Sequence, residues 1–289
     1  MSTLRFSILR LLRPLHWVKN GLIFLPMLLA GSITRVPVLV DAVIGFLSFS
    51  LMASAGYILN DIVDVDRDRR HPYKSNRPLA AASLSTGRAL GVAVLLLLLS
   101  VSLSWPLGMR AVGWLMVYFT LNWLYSAYLK PVRFFDIVIL SSFYLIRLFY
   151  GSAIGDAELT GWFVVASLFS FISLSANKRY LECAISKHGT LAGRGYSKDD
   201  APMLQTLSVA FALGTLVLLN LHAFFVLSIR EPVVIALINL FAAGMMFSYF
   251  GNNKSKSDDP VARILSNPFL LAMALMLMSI YVFELMQQR

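Results

Sequence analysis

The chain has 289 residues, 58% hydrophobic and 14% charged, with a mean hydropathy of +0.71 and a formal net charge of +10. Soluble domains carry about 25% charged residues, so the composition excludes an ordinary water-soluble fold and predicts an all-α, polytopic membrane protein. A single cysteine, Cys183, excludes an internal disulfide framework. In a membrane chain the cations report topology, and no nucleic-acid partner is expected.

The first twenty residues, MSTLRFSILRLLRPLHWVKN, hold no small-residue cleavage site, so no removable signal peptide is expected. Apolar stretches long enough for helices follow at 21–34, 37–60, 84–104, 110–129, 135–154, 160–178, 204–228, 232–250 and 267–286, nine spans within one domain over 1–289. Pro26 interrupts the short first span and predicts a break or a tilt. On this map twenty of the 25 Lys and Arg residues fall in loops on one side, four on the other, and Arg147 is left inside a span. The positive-inside rule then puts the N-terminus in the cytoplasm and the C-terminus outside, in a bacterial-type plasma membrane. The cytoplasmic connections 61–83, 179–203 and 251–266 are also the long polar ones, so the working face is expected there.

The stretch NDIVDVDRDRRHPYKSNRP, residues 60–78, gathers five cation-binding side chains and then a run of cations. Asp64, Asp66 and Asp68 match the start of a calcium loop, but Arg69 stands where that loop needs Gly and Ser75 where it needs Glu. A helix continuing from the second span instead stacks Asn60, Asp64 and Asp68 on one face, with Asp61 beside them and Asp66 about 200° from Asp64. Two readings follow: a solvated, salt-bridged helix end, or an oxygen-only site suited to magnesium and substrate phosphates. Lys74, Arg77 and Arg70 supply phosphate donors next to it.

Further along, Tyr118, Asn122 and Tyr125 share a face, and Lys130 and Asp136 border the entry of the fifth span. Arg147 lies about three turns beyond Asp136, deep in the bilayer. It reads either as a structural partner of a neighbouring helix or as a pocket cation for an anionic group. Trp17 reads as an interfacial anchor, while Lys19 and Asn20 are candidates to face the site. Lys178, Arg179 and Tyr180 fit topology and phosphate binding equally, and His71, His188 and His222 form no metal-ligand set.

NDIVDVDRD fits the NDxxDxxxD signature of the UbiA superfamily of membrane prenyltransferases through Asn60, Asp61, Asp64 and Asp68. RPLHWVKN, DIVILSSFYLIR and NKRYLE resemble one branch of it, the decaprenyl-phosphate phosphoribosyltransferases, over roughly 10–180. The second DxxxD of aromatic-acceptor members is missing at Asp136, which is followed four residues later by Leu140. The resemblance implies a UbiA-like nine-helix bundle with cytoplasmic cap loops. It implies magnesium on Asn60, Asp61, Asp64 and Asp68, Asp136 in support, and 5-phosphoribosyl 1-diphosphate and a polyprenyl phosphate lipid as substrates. Lys19, Arg70, Lys74, Arg77, Tyr125, Lys130, Arg147, Lys178, Arg179 and Tyr180 are the implied substrate-binding residues. Prenyl transfer to an aromatic acceptor is the enzymatic alternative, and an ion-coupled transporter or lipid-binding protein the non-enzymatic one. Ionisable residues gathered at one membrane face favour an enzyme over a transporter.

Overall fold

Long runs of Leu, Val, Ala and Phe with little Gly or Pro can satisfy their backbone in lipid only as helices. A computed structural model describes residues 10–70, 74–185, 189, 191 and 193–225, with scattered residues between 235 and 279. Its elements are all helical. The six main ones are α1 (Val36–Val63), α2 (Thr86–Ser104), α3 (Met109–Leu124), α4 (Phe135–Gly155), α5 (Gly161–Ile185) and α6 (Ala201–Phe225). Among the described residues four stretches, Val36–Val63, Thr86–Leu107, Phe135–Gly155 and Lys198–Phe225, are long and apolar enough to cross a membrane. The expected spans at 232–250 and 267–286 lie outside the described residues apart from isolated positions.

One expectation is met and two change. The first span is interrupted, as Pro26 predicts: an eleven-residue 3-10 segment, Pro14–Phe24, passes into a short α-helix, Leu25–Leu29, and a turn at Gly31. The fourth ends in a π-turn, Tyr125–Leu129, after α3. The sixth outruns its apolar stretch, since α5 continues to Ile185 and carries Lys178, Arg179 and Tyr180 on helix rather than loop. No helix breaker stands between 178 and 185, and Arg179 pairs with Glu182 one turn on.

The chain divides into two compact units. The first comprises residues up to Met27, Ser32–Leu129 and Ile146–Ala157; the second comprises Leu28–Gly31, Lys130–Leu145 and the chain from Glu158. Each takes about half of α4.

In the first unit α1 and α2 run antiparallel around a core of Ala55, Ile58, Ala89, Ala93 and Leu96, closed by Leu11, Leu79 and Leu84. Lipid gives helices no hydrophobic reason to associate, so small residues and polar links carry the contact. Ser48 and Ser100 supply such a link, each hydroxyl donating to the other's backbone carbonyl at 2.7 Å. On the other side of α2, Leu90, Val94, Leu95 and Leu98 are exposed, as a lipid-facing stripe requires.

The 3-10 segment is strapped along α1. Trp17 Nε1 donates to Ser54 Oγ at 3.0 Å, Asn20 Nδ2 to Ser50 Oγ at 2.9 Å, and Ser54 Oγ to the Leu12 carbonyl at 2.8 Å. The His16 and Tyr57 rings lie 5.4 Å apart. Ser50, Ser54, Tyr57 and Asp61 recur at helical spacing on one face of α1, so the strap reads that face from end to end. α4 closes on the strap at Gly151, where a Cβ would sit 2.1 Å from the Ile23 carbonyl oxygen.

The second unit is built on α5 and α6, tied by the same device: Ser173 and Ser208 each donate to the other's carbonyl, at 2.8 and 2.7 Å. The first half of α4 joins them through Ser141 and Ser175, 3.2 Å apart, and through the stacked rings of Tyr144 and Phe171. Ile137, Ala176, Cys183, Tyr196 and Leu204 form its core.

The Gly151 contact is to backbone, which has nowhere to yield. Gly151→Ala is therefore expected to destabilise the protein by about 1–3 kcal/mol, read as a lower thermal midpoint in detergent, whereas Gly113→Ala, which meets nothing within 4 Å, should not.

Candidate functional site

The acidic stretch is nearly continuous helix. Past the end of α1, the Asp64 N–H donates to the Asn60 carbonyl at 2.9 Å and the Asp68 N–H to the Asp64 carbonyl at 2.8 Å, carrying the helical phase into the short helix Val65–Arg69. That phase sorts the acids. Asp61, Asp64 and Asp68 are buried, at 3%, 6% and 3% exposure, while the Asp66 side chain is 80% exposed. Asn60 is half-buried at the edge of the group.

Each buried carboxylate has a guanidinium partner. Arg13 Nη2 lies 2.6 Å from both oxygens of Asp61. Arg77 Nη1 donates to Asp61 Oδ1 at 2.9 Å and to Asp68 Oδ2 at 2.7 Å. Arg67 reaches Asp64 at 3.1 Å. Arg77 is presented by a tight turn in which the Ala81 N–H returns to the Arg77 carbonyl and Ser83 caps Pro78. Arg70 instead donates to the backbone carbonyl of Asp66, on the exposed side, and the Lys74 side chain lies outside the described part. Arg13 was counted from the sequence only as a topological cation. It holds an unusual left-handed backbone, φ 50° and ψ 57°, directly before Pro14, with its guanidinium 5.1 Å from the Tyr57 ring centroid.

The donor set fits a hard divalent cation. Oxygens of Asp61 and Asp68 already converge on one positively charged nitrogen, a set of oxygen donors of the kind hard cations take. Among the described residues no three of His, Cys, Asp and Glu are close enough to hold an ion as they stand. The guanidinium groups occupy that role.

A second cation lies deeper in the same unit. Arg147 is buried, its Nε donating to Asn20 Oδ1 at 2.8 Å, with its guanidinium 5.0 Å from the Phe49 centroid and 5.3 Å from that of Tyr118. Asn20 in turn donates to Ser50, so the strap that carries Arg13 to Asp61 also carries Asn20 to Arg147. Tyr118 and Tyr125 are buried on α3 and its π-turn, and Asn122 reaches α1 where Gly56 leaves room: a Cβ there would stand 2.9 Å from Asn122 Oδ1. Lys19 is half-buried on the strap.

The second unit holds a separate ionic network. Asp136 and Arg179 are both fully buried and ion-paired through Arg179 Nε and Asp136 Oδ2. Tyr196 donates to Asp136 Oδ1 at 2.6 Å, and Arg179 Nη1 reaches Glu182 at 2.6 Å. Arg194 lies 3.6 Å from Asp136 and 3.5 Å from Glu182. Lys130, Lys178 and Tyr180 are half-buried in this unit. Burial works against charge on Glu182, but Arg179, Arg194 and Lys178 outweigh it and hold its carboxyl down at about 2. Burial, followed by the bond to Asp136, pushes the Tyr196 phenol up, so it stays a donor. The expected site residues up to Tyr125, with Arg147, belong to the first unit, and Lys130, Asp136, Lys178, Arg179 and Tyr180 belong to the second. Glu182, Arg194 and Tyr196 were not anticipated. Glu182 was legible as the i+3 partner of Arg179, whereas Tyr196 lies sixty residues from its acceptor and leaves no local sign.

Two outcomes follow from this network. Arg179→Met strands the buried Asp136 carboxylate and is expected to cost about 3–5 kcal/mol, with the paired change Asp136→Leu restoring most of it in thermal unfolding. The depressed Glu182 contributes stability in full above its ordinary value of 4.5 and loses it as pH falls toward about 2, so Glu182→Gln should flatten stability across that window.

The comparisons with known proteins agree with this architecture. The profile of the UbiA prenyltransferase family matches residues 21–273. A decaprenyl-phosphate phosphoribosyltransferase of Corynebacterium glutamicum is 36% identical over 180 residues, which is 61% of this chain and 54% of that one. The chain thus matches about half the length of that relative. The nodulation protein NoeC of Azorhizobium caulinodans is 31% identical over 214 residues, 72% of this chain and 69% of that one. A UbiA homologue from Archaeoglobus fulgidus, solved with DMAPP and Mg2+, superposes with a TM-score of 0.68 at 20% identity, covering 97% and 99% of the two chains. The protein is a multi-pass membrane protein of the UbiA prenyltransferase family.

Proposed function

We propose that this chain transfers 5-phosphoribose from 5-phosphoribosyl 1-diphosphate to a polyprenyl phosphate, at the cytoplasmic face of a nine-span bundle. The observation that carries the reading is the burial of Asp61, Asp64 and Asp68 on one face, each matched by a guanidinium. Three carboxylates are not buried at a helix end without a charged task, because desolvating them is costly. The name of the Corynebacterium relative gives the same transferred group, phosphoribosyl, and a polyprenyl phosphate as acceptor.

Asn60, Asp61, Asp64 and Asp68 would hold magnesium, which supplies neutralising charge to a departing pyrophosphate. Arg77, with Lys74 and Arg70, binds the diphosphate oxygens. In the same unit Lys19, Arg147 and Tyr125 are assigned to anionic substrate groups, and in the second unit Lys130, Lys178 and Tyr180. Asp136 and Arg179 are assigned as positioning residues, since their charges are spent on each other and on Glu182.

An oxygen of the lipid phosphate forms the new bond to ribose C1 while the bond from C1 to the pyrophosphate oxygen breaks, and the bonding pair leaves with pyrophosphate. The attacking oxygen is already anionic, so the chemistry asks for no Ser-His or Cys-His pair.

Prenyl transfer from a diphosphate is the competing reading, favoured by the DMAPP in the Archaeoglobus homologue. Purified protein given labelled phosphoribosyl diphosphate, polyprenyl phosphate and Mg2+ is expected to yield lipid-extractable label. Turnover only with a prenyl diphosphate and a phenolic acceptor overturns the proposal. Asp64→Asn should lower the rate by at least about 100-fold while eluting as a monodisperse species, and full activity in that variant would remove the metal assignment.

A further inference from the structure

Among the described residues of the first unit, three guanidinium groups meet three buried carboxylates, so these six side chains balance in charge. The balance is uneven in its parts. Asp61 receives two of them, Arg13 at 2.6 Å on both oxygens and Arg77 at 2.9 Å on Oδ1. Arg13 comes from the segment most distant in sequence, the start of the strap, 48 residues before Asp61, and it does so from a left-handed backbone that a non-glycine residue enters at a cost of about 1–2 kcal/mol. Its side chain is 18% exposed whereas Asp61 is 3% exposed, so Arg13 covers the carboxylate from the open side.

A bare divalent cation arriving at Asp61 would have to displace a guanidinium and would leave the face with excess positive charge. A divalent cation arriving with a diphosphate changes this, because the diphosphate offers the displaced guanidinium a bidentate phosphate partner. We infer that Arg13 is a tethered counter-ion that makes metal capture at Asp61 depend on the donor diphosphate, moving from the carboxylate to phosphate oxygens when both arrive. The inference rests on the reading of the acidic face as a metal-diphosphate site and adds to it a residue and an order of binding. It assigns Arg13 two functions in turn, blocking the site against metal alone and then holding the donor. A static structural latch would perform only the first contact and would show no dependence on diphosphate.

The test is Mn2+ binding to the full-length protein in detergent, read by electron paramagnetic resonance with and without inorganic pyrophosphate and without any turnover. Wild-type protein is expected to bind Mn2+ at least about fivefold more tightly when pyrophosphate is present. Arg13→Gln should bind Mn2+ alone roughly threefold more tightly than wild type, and the gain from pyrophosphate should shrink. Arg13→Lys, which keeps the charge, should fall between the two. Arg13→Gln binding Mn2+ no more tightly than wild type, with the pyrophosphate gain intact, overturns the inference while leaving the metal site standing. Wild-type protein that binds no Mn2+ under either condition overturns the metal reading itself, and the inference with it. If Arg13→Gln does not elute as a folded species, the wild-type titration still decides, because equal Mn2+ affinity with and without pyrophosphate excludes the coupling.

Discussion

The ion pair between Arg13 and Asp61 is the contact on which the first unit's organisation turns. A carboxylate buried at the end of an apolar helix is tolerated only with a cation against it. Here the cation comes from a segment nearly fifty residues earlier in the chain. To deliver it, residues 14–24 must lie along α1, and they do so through Trp17, Asn20 and the serines opposite them. The same segment then meets α4 at Gly151 and supplies Asn20 to Arg147. One electrostatic requirement therefore fixes the path of a strap, and the strap fixes a second buried charge.

Charge is handled differently in the two units. In the first, the acids share a helix face and their cations come from three separate segments, one on the strap, one on the helix itself and one in the turn after it. In the second, Asp136, Arg179, Glu182 and Arg194 form a chain of alternating sign closed by Tyr196, with Asp136 and Arg179 removed from solvent. Networks satisfied among their own members hold structure firmly.

Much of this was legible in the sequence, for reasons specific to each feature. Helical phase alone separated Asp61, Asp64 and Asp68 from Asp66, because the backbone bonds Asp64 to Asn60 and Asp68 to Asp64 without interruption. The NDxxDxxxD spacing sufficed to identify the family. Hydropathy placed α1, α2, α4 and α6 within a few residues. It erred where polarity and helicity part company, at the end of α5, whose last turns are charged yet helical. Pro26 marked the interruption of the first span, though not the 3-10 form of the segment before it. Arg13 was hidden for another reason. Positive-inside bias puts a cation near position 13 in any case, so its partner 48 residues away leaves no local trace.

The reciprocal serines bear on how such a molecule moves. Ser48 with Ser100, and Ser173 with Ser208, each make two bonds that share the same pair of residues. Sliding one helix along its partner by a single turn, about 5.4 Å, breaks both bonds of a pair at once and leaves four polar groups facing hydrocarbon. Axial shear is therefore closed to α1 against α2 and to α5 against α6. Each pair behaves as a fixed rail within its own unit.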